Sequence, residues 1–110
     1  MKTGTKTQRK KIERDLIKQL EAMGLSNEFY GDIVSDYMRM WDIKNKLLDD
    51  IEERGVTVEY QHGGGQSGVK QNESVQNLLK VSDRMGKLLT TLGIKPDTVT
   101  NPDEDEEIDL

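Results

Sequence analysis

Between Asp32 and Arg54 the chain contains neither proline nor glycine, and that stretch limits what 110 residues can build. Apolar side chains recur through it at helical steps: Tyr30, Ile33, Val34, Tyr37, Met38, Trp41, Leu47, Leu48 and Ile51. Ser26 stands in front as an N-cap, and Glu28 places a negative charge in the first turn, where the helix dipole favours it. The spacing therefore predicts one helix over residues 26–53. At ~1.5 Å per residue such a helix is a rod of about 42 Å, long for the chain that carries it. A compact ball is not the expected shape.

Two further helices flank the rod. Ile12, Leu16, Leu20 and Met23, widened by Ile17, predict a first helix from about Gln8 that Gly24 closes. After Arg54 and Gly55, residues 56–60 alternate β-branched and polar types and read as a short strand. Residues 61–68 are too rich in glycine for either regular structure, and residues 69–72 return as a second short strand. A third helix opens at Glu73 or Ser74. It carries Val75, Leu78, Leu79, Val81, Met85, Leu88, Leu89 and Leu92 on a broad face until Gly93 and Pro96 end it. The fold class is mainly α: a short N-terminal helix, then a long antiparallel helical hairpin with a small β-hairpin at the turn. Residues 1–7 are polar and aperiodic, and residues 97–110 are acidic; both are expected to be disordered. Residues 8–96 form the helical domain.

Apolar residues make up 33% of the chain and charged residues 34%, so the core must be lean. Two paired helices cover one side of each other and leave the remaining apolar surface wet. Tyr30, Ile33, Val34, Tyr37, Met38 and Trp41 occupy more than one narrow stripe of the long helix, and such surplus marks an interface. These six residues are the expected contacts of a homo-oligomer. The competing arrangement is a monomeric three-helix bundle in which the first helix covers the surplus.

Little in the sequence offers chemistry. There is no cysteine, so disulfides, zinc–thiolate sites and cysteine nucleophiles are excluded. The single histidine, His62, suits an exposed loop better than a ligand set or a triad. Gly63, Gly65 and Gly68 satisfy a dinucleotide-binding spacing, but that motif needs a βαβ unit of ~30 residues with a sheet behind it. A phosphate-cradling loop also fails, because Val69 stands where its lysine belongs. Asp32, Asp36, Asp49, Asp50, Glu52 and Glu53 read as the acids of a solvated helix, not a metal cluster. No pair of groups is arranged for proton transfer. The chain is expected to be no enzyme and to need neither metal nor cofactor.

Charge is where the sequence is most informative. The net charge is -5, yet residues 1–18 hold seven bases against two acids, whereas residues 97–110 hold seven acids and no base. Lys6, Arg9, Lys10, Lys11, Arg14 and Lys18 can follow a phosphate backbone, with salt-dependent affinity and little sequence discrimination. No aromatic is interleaved with them, so base stacking on single strands is not expected. No apolar run approaches the ~20 residues that span a bilayer, and no apolar stretch follows the charged N-terminus as in a secretory signal. A cytosolic protein without a membrane contact is expected.

Phe29-Tyr30, Asp36-Tyr37-Met38-Arg39-Met40-Trp41, Arg54-Gly55-Val56-Thr57-Val58, the glycine turn, Asn72-Glu73-Ser74-Val75 and Leu92-Gly93-Ile94-Lys95-Pro96 follow one another in this order. The series resembles small terminase subunits of tailed bacteriophages, in the short branch without a separate N-terminal helix-turn-helix domain. The resemblance implies a non-catalytic part of the DNA-packaging motor that binds double-stranded viral DNA. It also implies recruitment of the large subunit, which holds the ATPase and nuclease, and a closed ring of roughly eight to eleven copies. Such a protein acts in the host cytoplasm during virion assembly and is not expected in the mature virion. In that setting Glu104, Asp105, Glu106, Glu107, Ile108, Asp109 and Leu110 make a short acidic peptide with two apolar anchors, suited to docking on the large subunit or to shielding the basic arm. Two other readings remain: a small dimeric helical DNA-binding regulator with an acidic interaction tail, and a structural adaptor with no nucleic acid.

Overall fold

Helix α1 (Lys6–Ala22) starts one turn earlier than its apolar stripe, because Thr5 and Gln8 form a capping box. The Thr5 hydroxyl accepts from the Gln8 N–H at 3.1 Å, and the Gln8 side chain accepts from the Thr5 N–H at 3.0 Å. The computed structural model describes residues 3–95. Within it α1 begins at Lys6, two residues before the start expected near Gln8, and residues 3–5 lead into it. The Thr3 N–H donates to the Asp49 carboxylate, and Gly4 lies so close to the Asn45 side chain that a Cβ would meet it at 2.6 Å. The acidic segment expected to be disordered lies outside the described residues.

Helix α2 (Glu28–Arg54) is the predicted rod. Its N-cap is Asn27 and not Ser26, and no side chain closes that end. Strands β1 (Thr57–His62) and β2 (Gln66–Gln71) form a two-stranded antiparallel sheet, with register from Thr57 opposite Gln71 to His62 opposite Gln66. The strands thus run into the glycine-rich segment expected to be irregular. Gly64 and Gly65, at φ 85° and 82°, supply the left-handed turn. Gly68 is tolerated as a strand residue because the Tyr60 ring opposite covers the place of its missing side chain. This hairpin has no helix crossing over it, so the glycine spacing has no dinucleotide-binding context.

Helix α3 (Glu73–Thr91) returns along α2. Gly93 ends it at φ 77°, with the Ile94 N–H donating back to the Leu89 carbonyl at 3.0 Å. Leu16 and Leu20 of α1, Val34 and Met38 of α2 and Leu92 after α3 form one buried cluster. The first helix therefore does cover apolar surface of the rod, around Val34 and Met38. Val34 and Met38 are 3% and 0% exposed within the single chain. Tyr30, Ile33, Tyr37 and Trp41 are half-buried around the same cluster, and burial pushes the Tyr37 hydroxyl pKa up.

A polar knot joins the rod, the hairpin and the returning helix. Arg54 donates to both oxygens of Asp50, at 2.7 and 2.8 Å, and to the Asn72 side-chain oxygen at 2.9 Å. Asn72 is fully buried; its amide donates to Asp50 at 3.1 Å and to the Gly55 carbonyl at 3.0 Å. The same Asn72 oxygen caps α3 by accepting from the Ser74 N–H at 3.0 Å, while the Ser74 hydroxyl donates to Asp50 at 2.6 Å. Hydrogen bonds from Arg54, Ser74 and Asn72 hold the Asp50 carboxyl far below the usual carboxylate range.

Candidate nucleic-acid interface

The rotation of α1 about its axis is fixed from two sides. Leu16 and Leu20 are buried in the core, and Arg9 clamps the helix to α2 through Asp42, with Nε and Nη2 donating at 2.9 and 3.1 Å. The Asp42 carboxylate beside it pushes the Arg9 pKa up, and Glu13 one turn on adds a weaker contact at 3.4 Å. Arg9 is accordingly half-buried, on the inner side of the helix, with its charge already matched.

With α1 held in this way, the 3.6-residue period turns Lys10, Arg14 and Lys18 away from the core, one turn after another, and sets Lys11 beside them. All four are exposed, and none forms an ion pair with another described residue. They make a cationic strip of about 12 Å along the helix. Lys6 is exposed in the first turn, nearer the edge of this strip. The sequence places six bases in one segment; the structure joins four of them on one face and turns Arg9 inward.

One cation escapes a reading confined to that segment. Lys44 of α2 lines a shallow groove together with Lys11, Ile12 and Trp41. Its apposition to α1 depends on the packing of two helices, and only the recurrence of lysine near Trp41 hints at it. The acidic residues 104–110 lie outside the described residues. Among the described residues no helix is long and apolar enough to cross a membrane, and no group of three potential ligands could hold a metal ion.

These features define a class first: a small three-helix protein with a β-hairpin at the turn of its long helical pair, offering an outward strip of positive charge. The family described as phage terminase, small subunit, matches residues 10–104, and the chain belongs to that family. No curated protein and no solved structure matches it. Small terminase subunits are generally non-catalytic, and the family associates with phage DNA and the large terminase subunit. Membership points to a role in phage DNA packaging.

Proposed function

We propose that the chain is the non-catalytic small subunit of a phage DNA-packaging terminase, and that it grips double-stranded viral DNA with the outer face of α1. The observation that carries this reading is the exposed, unpaired strip of Lys10, Lys11, Arg14 and Lys18, set by a buried leucine pair and an arginine clamp. Contacts of this kind neutralise phosphates and fix position, not sequence. Lys6 and Lys44 extend the strip at its ends.

Four cations on one chain give modest affinity, and copies in a ring multiply it through effective concentration. Phe29, Ile43 and Leu79 are 56%, 42% and 59% exposed, so the single chain leaves large apolar side chains uncovered on α2 and α3. A homo-oligomeric ring of roughly eight to eleven copies covers them. The acidic segment 104–110 then serves the large ATPase–nuclease subunit, which this chain recruits and regulates in the host cytoplasm during virion assembly.

The test is double-stranded DNA binding across a salt series. Lys10→Glu with Lys11→Glu and Arg14→Glu is expected to abolish binding at moderate salt while the native mass stays unchanged. Retained affinity in that variant would move the DNA contact off α1, and a native mass of two copies would favour the dimeric regulator.

A further inference from the structure

The path of the chain places its most acidic segment within reach of its most basic face. Leu92 is buried against Leu16 and Leu20 of α1, and Ile94 packs on the same cluster. A Cβ on Gly93 would lie 3.2 Å from the Met23 methyl group just beyond the end of α1. The described chain therefore leaves at Lys95 alongside the first helix, not at the far hairpin. Residues 97–110 that follow carry seven acids and no base, five of them consecutive from Asp103 to Glu107.

We propose that this acidic segment docks on the outer face of its own α1, opposite Lys10, Lys11, Arg14 and Lys18, and occupies that face until a stronger polyanion displaces it. The reach suffices. Eight residues from Lys95 to Asp103 span at most about 27 Å when extended. Half the girth of a helix ~10–12 Å across is about 17 Å, and the strip lies roughly 7–20 Å back along the axis from Met23, a combined path of about 19–26 Å. The charges are opposite in sign and close in number: four cations on the strip against five consecutive carboxylates in the segment. Tethering raises the local concentration of the segment to the millimolar range, which offsets the weakness of exposed ion pairs. Double-stranded DNA, with one negative charge per ~1.7 Å of its axis, competes for the basic face, and a large subunit that captures the segment competes for the segment. Capture of the segment by the large subunit frees the basic face for DNA, and the two contacts become coupled.

The docking itself is independent of DNA, whereas its consequence for DNA rests on the reading of α1 as the DNA-binding face. The experiment separates the two. Zero-length carbodiimide coupling of the full chain, without DNA, is expected to join Lys10, Lys11 or Lys18 to residues 103–107. In mixed isotope-labelled protein those links are expected within one chain, and to vanish as salt is raised. Links confined to exposed lysines elsewhere, such as Lys46 and Lys80, or found only between chains, would overturn the proposal. The second arm neutralises the segment with Asp103→Asn, Glu104→Gln, Asp105→Asn, Glu106→Gln and Glu107→Gln. DNA affinity is expected to rise about tenfold at low salt, with the gain fading as the Debye length shortens. The same neutralisation is expected to change nothing once Lys10, Lys11, Arg14 and Lys18 are all glutamine; a gain that persists there would show general repulsion and not docking. Links without any gain in affinity would uphold the docking and refute the DNA-binding role of α1.

Discussion

Asn72 ties the end of α2, the hairpin and the start of α3 together through one side chain. It is fully buried at the point where β2 ends and α3 begins, and its side chain closes bonds to Asp50, Arg54, Gly55 and Ser74. Asn72→Ala removes a helix cap and leaves the Gly55 carbonyl and the Ser74 N–H without partners. The expected loss is about 2–4 kcal/mol in a urea unfolding titration. Asp50 offers a test with a sign. Its folded pKa lies below the ordinary 3.8, so the stability it contributes is complete above that value and is lost as pH falls beneath it. Wild type is therefore expected to exceed Asp50→Asn by a constant margin above about pH 5, and the margin is expected to shrink in more acidic solution. A margin that instead grew toward low pH would mean that the carboxylate is strained in the fold.

At the scale of elements, the positions of the helices and the pairing of the two long ones were legible, whereas the seat of the first helix was not. Gly24, Gly55 and Gly93 end the three helices as the sequence indicates, because a glycine after an apolar period is a local signal. The start of α1 at Lys6 was missed by two residues: Thr5-Lys6-Thr7-Gln8 carries the spacing of a capping box, but its lack of apolar residues masked it. The hairpin beyond Tyr60 was not legible. Only cross-strand pairing shows that an aromatic ring shields Gly68, and glycine alone argues against a strand. The pairing of Arg9 was hidden for a similar reason: its partner Asp42 is 33 residues away, and nothing local distinguishes it from Lys10. That difference is measurable. Lys10→Ala and Arg14→Ala are each expected to lower the salt slope of DNA binding by about one. Arg9→Ala is expected to leave the slope near its original value and to cost the fold about 1 kcal/mol, since its ion pair with Asp42 is still partly open to water. Equal slopes for all three would mean that Arg9 leaves Asp42 when DNA arrives.

For the whole molecule the question is what the single chain leaves uncovered. Its buried apolar cluster reaches from α1 across the N-terminal half of α2 to Leu92, and the six contacts expected from the sequence mostly belong to it. Val34 and Met38 are consumed there, because a rod with two apolar stripes accepts one helix on each. The stripe that pairs within the chain cannot be told from the stripe that does not by periodicity alone. Exposure distinguishes them: Phe29 and Ile43, two heptads apart, share a side of α2 away from Met38 and stay open. If subunits meet there, Phe29→Glu with Ile43→Glu places two carboxylates in the contact and spares the core. The expected outcome is a folded 12.5 kDa monomer by native mass spectrometry, against about 100–140 kDa for the unaltered ring. Circular dichroism of the variant is expected to keep its helical signal, since neither side chain belongs to the buried cluster. A variant that still assembles would move the subunit contact to the outer side of α3, where Leu79 is the exposed apolar residue, and Leu79→Glu would then be the change that disperses the ring.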